Sequence, residues 1–62
     1  MKTRIEFPAK DIVDAARQAT EHRSRTGTDF YLQFNGCLLL VDADSKVKDL
    51  IDQYVNEYLV AA

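Results

Sequence analysis

The stretch Phe30-Tyr31-Leu32-Gln33-Phe34, Asn35-Gly36, Cys37-Leu38-Leu39-Leu40-Val41 decides the fold. Asn-Gly between two apolar runs marks a two-residue type I′ β-hairpin, because that turn needs positive φ at both central positions and these residues tolerate it best. A two-residue turn also sets the register. Phe34 then faces Cys37, Leu32 faces Leu39 and Phe30 faces Val41 on one side of the ladder, with Gln33 opposite Leu38 and Tyr31 opposite Leu40 on the other. The first side is uniformly apolar and is expected to be the core side.

Toward the N-terminus, residues 3–7 alternate, with Ile5 and Phe7 on one side and Arg4 and Glu6 on the other, the period of a half-buried strand. Pro8 has no N–H for a ladder, yet its fixed φ suits a first helical turn, so a helix is expected to begin within a residue or two. Over residues 9–25 the positions Ile12, Ala15, Ala16 and Ala19 fall on one stripe, flanked by Val13 and Thr20. Alanines add little bulk, so this helix can lie close to a sheet. Gly27 follows as a C-terminal cap, since glycine takes the left-handed conformation without steric cost.

Beyond the hairpin, Val47, Leu50, Ile51, Tyr54, Val55, Tyr58 and Leu59 repeat at i, i+3, i+4, i+7, which predicts a second amphipathic helix. Asp42, Asp44 and Ser45 precede it and are expected to cap its N-terminal N–H groups. The order is therefore β-α-β-β-α, an α+β two-layer sandwich in which both helices cover one face of a three-stranded mixed sheet. Strand two should run parallel to strand one by a right-handed crossover, and strand three antiparallel to strand two. The continuous apolar run of strand three favours a central place for it, order 1-3-2, although order 1-2-3 also obeys the connection rules.

All of this occupies one small domain, residues 1–62. A chain of this length buries only about 60% of the surface its unfolded form exposes, so nearly every apolar residue is needed for the core. Hydrophobic residues make up 47% and charged residues 29%, which places the chain with soluble globular proteins rather than disordered chains or membrane spans. The single cysteine, Cys37, cannot form an internal disulfide, and the first residues lack the apolar run of a signal peptide. A cytoplasmic protein is the simpler expectation.

Catalysis is not expected. His22 is the only histidine and Cys37 the only thiol, so neither a metal site nor a Cys–His pair has redundancy to support it. Asp42-Ala43-Asp44 with Asp49 does not make an EF-hand, which needs glycine at loop position six and glutamate at twelve, where this chain has Val47 and Gln53. No metal, cofactor or small-molecule substrate is expected.

The interaction reading comes from the second sheet face. Tyr31, Leu38 and Leu40 should cluster there with only Gln33, Arg4 and Glu6 as polar company, while both helices cover the other side. An apolar patch with a charged rim marks a protein interface, so a homodimer or another protein partner is expected on Tyr31, Gln33, Leu38 and Leu40. The strand-two edge, Phe30 to Phe34, lacks the lysine, proline or inward charge that blocks edge pairing and offers a second route to association.

The alternative is a regulator contacting nucleic acid through the basic end of helix one, with Lys10, Arg17, Arg23 and Arg25. Residues 1–28 carry six cations and four anions, and residues 29–62 two and six, within a net charge of -2. Nucleic-acid domains usually carry a basic excess, and no aromatics are interleaved with these arginines for stacking. An acidic inhibitor of a nucleic-acid-binding protein, presenting Asp42, Asp44, Asp49 and Asp52, is a further variant of that alternative.

Overall fold

The computed structural model describes residues 3–60. Its elements are β1 (Arg4–Ile5), α1 (Ile12–Thr26), β2 (Phe30–Phe34), β3 (Cys37–Val41) and α2 (Val47–Tyr54), which continues as a wider π-helical segment, Val55–Val60. The β-α-β-β-α order and the α+β class are those the sequence implies.

The hairpin has the predicted register at every pair: Phe30 with Val41, Tyr31 with Leu40, Leu32 with Leu39, Gln33 with Leu38 and Phe34 with Cys37. Asn35 at φ 50° and Gly36 at φ 78° supply the two left-handed residues that a type I′ turn requires. Phe30, Leu32, Leu39 and Val41 point into the core with almost no exposure, and Phe34 and Cys37 pack against its border.

Helix α1 buries the alanine stripe. Ala15, Ala16 and Ala19 are buried, with Ile12 beside them, while Val13 is exposed. Its start lies later than the proline suggests, at Ile12, because Asp11 is the N-cap, its carboxylate accepting from the Asp14 N–H at 2.8 Å. Pro8 instead lies in the connection between β1 and α1, and its carbonyl accepts from the Gln18 side chain at 3.1 Å. At the other end Gly27 adopts φ 69°, and its N–H donates to the Arg23 carbonyl at 2.8 Å. A Cβ at Gly27 would meet no other atom, so Gly27→Ala isolates the cost of the left-handed backbone. A loss of about 1 kcal/mol is expected in urea denaturation.

Leu50 and Tyr54 carry α2 into the same core as the alanines and the sheet, so both helices share one face of the sheet. The expected cap of α2 differs in detail. Lys46 is the N-cap residue, and the Asp49 carboxylate accepts from its N–H at 3.2 Å. Asp42 and Ser45 close the preceding turn: the Asp42 carboxylate accepts from the Asp44 N–H at 3.0 Å, and Ser45 Oγ accepts from the Asp42 N–H at 2.9 Å. Of the residues expected on this helix, the side chain of Leu59 lies outside the described residues.

Strand order corrects one expectation. The sheet runs β1-β2-β3, with β1 parallel to β2, so the central strand is β2 and not β3. A single close-packed helix joins β1 to β2, and the shortest crossover sets the two strands side by side, with the Tyr31 N–H donating to the Thr3 carbonyl at 2.8 Å. The apolar run of β3 does not reflect cover on both faces, because Leu38 is 39% exposed.

Candidate interaction surface

The rows of the sheet define the face opposite the helices. Arg4 lies beside Tyr31 and Tyr31 beside Leu40; Ile5 lies beside Leu32 and Leu32 beside Leu39; Gln33 lies beside Leu38. Ile5, Leu32 and Leu39 face the core. Strand alternation therefore turns Tyr31, Leu40, Gln33 and Leu38 to the other side. β1 ends at Ile5; Glu6 follows it, exposed, between Ile5 and Phe7, which both pack against the core, and so continues the outward side of Arg4 beyond the paired strand. All four residues assigned to the interaction surface thus come together, with Leu38 the most exposed and Tyr31, Gln33 and Leu40 half-buried. Arg4 and Glu6 are exposed at the β1 margin.

The strand-two edge is not free. With β2 central, β1 occupies it at Tyr31 and Leu32, and the two outer edges of the sheet belong to β1 and β3. Because the two-residue turn makes Phe34–Cys37, Leu32–Leu39 and Phe30–Val41 the pairs that exchange backbone hydrogen bonds, the N–H and C=O groups of Leu38 and Leu40 point outward. Ser45 Oγ approaches the Leu40 carbonyl at 3.5 Å and screens that end.

The four basic residues have different surroundings. Arg23 is engaged by Asp29, Nε to Oδ1 at 2.8 Å, with the two side chains 20% and 40% exposed. Arg17 and Arg25 are exposed on α1 about 80° apart in azimuth and about 12 Å apart along its axis. Lys10 precedes the helix, its backbone N–H reaching the Asp14 carboxylate. Two of the acidic residues, Asp42 and Asp49, already accept backbone hydrogen bonds within the chain.

One cleft, of about 240 Å³, lies where the α1–β2 loop meets β1, lined by Thr3, His22, Thr26, Thr28, Asp29 and Phe30 among others. Residues remote in sequence build it, and no local motif signals it. It is smaller than most ligand sites, which run from about 300 Å³ upward. His22 there packs edge-on against Phe30 and Phe7, with ring centroids 5.1 and 5.7 Å away, and Asp29 is the partner of Arg23. Cys37 sits at the opposite end of β2, beside Phe34, separated from the His22 end by about 13 Å of strand. Among the described residues no three His, Cys, Asp or Glu side chains are placed to share a metal ion, and no helix is long and apolar enough to cross a membrane.

Comparison with known protein families, curated proteins and solved structures finds no match to this chain. Kinship assigns no activity here. The functional reading rests on the surface itself.

Proposed function

We propose that the chain is a small non-catalytic protein-interaction module that self-associates through the open face of its sheet. The observation that carries this reading is the placement of Leu38 and Leu40 next to Tyr31, on the face that neither helix covers. In a chain whose core needs nearly every apolar residue, the part of Leu38 that stays exposed and the part of half-buried Leu40 that does so are apolar surface that a second copy can remove from water. The surroundings fit an interface: an aromatic with a polar tip, an amide able to donate and accept, and opposite charges at one margin.

Sedimentation equilibrium tests the reading, from micromolar to near-millimolar protein. The wild-type chain is expected to rise above monomer mass with concentration. Leu38→Glu should hold it at monomer mass while leaving the circular dichroism spectrum and urea midpoint nearly unchanged, because an exposed position away from the core shifts stability by about 0.5 kcal/mol or less. A wild-type chain that stays monomeric over the whole range overturns the proposal.

A further inference from the structure

The outward rows of the sheet are complementary to themselves in one orientation. From this we infer that two copies stack face to face about a two-fold axis running across the strands, above the row Ile5, Leu32 and Leu39. The inference rests on the open face being the self-association surface and adds which residues meet. Two axes keep the strands of both copies aligned, as face-to-face sheets prefer. An axis parallel to the strands, along β2, would lay β1 of each copy over β3 of the other, placing Arg4 and Glu6 on the leucines and stripping water from two charges without a partner.

The axis across the strands does the opposite. It exchanges the row above Ile5, Leu32 and Leu39 for the row below, so Arg4 of one copy meets Glu6 of the other, Leu40 meets Leu38, and Tyr31 meets Gln33. Each contact occurs twice. Both charges find an opposite charge, the leucines bury one another, and the tyrosine hydroxyl meets an amide that can bond it. Within one chain, among the described residues, Arg4 and Glu6 form no ion pair, and Arg23 with Asp29 is the ion pair present, so both charges remain available for the second copy. Three short strands about 4.8 Å apart give a footprint well below the roughly 800 Å² per partner of a standard interface, which makes this a weak dimer.

A charge swap tests the axis. In sedimentation equilibrium at low salt, Arg4→Glu alone and Glu6→Arg alone should each weaken dimerisation about tenfold, since each converts two facing ion pairs into like-charge contacts. The double variant, Arg4→Glu with Glu6→Arg, should recover wild-type affinity within about twofold, and the single-variant losses should shrink at high salt. If Leu38→Glu disperses the dimer but the charge variants have no effect, or the double variant stays weak, the axis is wrong although copies still associate. The same pattern arises if copies join through the β3 edge, because β1 lies on the far side of the sheet. A wild-type chain monomeric throughout overturns both the axis and the reading beneath it.

Discussion

Leu32→Ala is expected to leave the chain largely without a native baseline in urea denaturation at room temperature. Leu32 is fully buried at the centre of β2, between Ile5 on β1 and Leu39 on β3. Truncating such a leucine costs the transfer energy of the lost carbons and leaves a cavity, about 2–5 kcal/mol together. At about 0.05–0.15 kcal/mol per residue a 62-residue domain holds roughly 3–9 kcal/mol in total, so one substitution removes a large share of it. The melting temperature should fall by at least about 10 °C, at about 4–8 °C per kcal/mol in a domain of this size. A loss below about 1 kcal/mol would mean that the core collapses around the missing carbons and that the sheet is not rigidly seated on the helices.

Ala16→Leu should destabilise the protein through the opposite fault. Ala16 is fully buried within the stripe that α1 turns toward the sheet, beside Ala15 and Ala19. Its small side chain lets the helix approach, and three further carbons at that point must displace either the helix or the side chains of β2 and β3. Overpacking of this kind costs about 1–3 kcal/mol. Alanine and leucine differ little in helix propensity, so the loss reports packing rather than helix formation. Val13→Leu, one turn earlier at an exposed position of the same helix, is the control and should change stability by less than about 0.5 kcal/mol. Thermal unfolding followed by circular dichroism separates the two, and equal stability in both variants would show that α1 is not closely apposed to the sheet.

Both predictions concern residues whose burial is legible in the amino-acid sequence. The Asn35-Gly36 pair sets the hairpin register to the residue, and the spacing of Ile12, Ala15, Ala16 and Ala19 identifies the buried side of α1. The four surface residues Tyr31, Gln33, Leu38 and Leu40 follow from the same register, since a period of two leaves no freedom in which side chains share a face. The cap of α2 is less legible. Asp42, Asp44, Ser45 and Asp49 all have the chemistry to satisfy a free N–H, and only backbone geometry decides that Asp42 and Ser45 close a turn while Asp49 serves the helix.

Strand order is the feature that local pattern misjudges. Leu38-Leu39-Leu40 reads equally as a strand covered on both faces or as one covered on a single face with an apolar outer side, because periodicity reports residue type and not which neighbour is present. Spacing within a few residues is enough to specify the element order, the hairpin register, the buried stripes and the membership of the outer face. It does not specify that β2 is central, that β1 covers one of its edges, that the outer strands are β1 and β3, or that Arg4 stands in one row with Tyr31 and Leu40. Those facts arise in the folded chain from the path by which α1 returns across the sheet, a contact between segments far apart in sequence that no local pattern encodes.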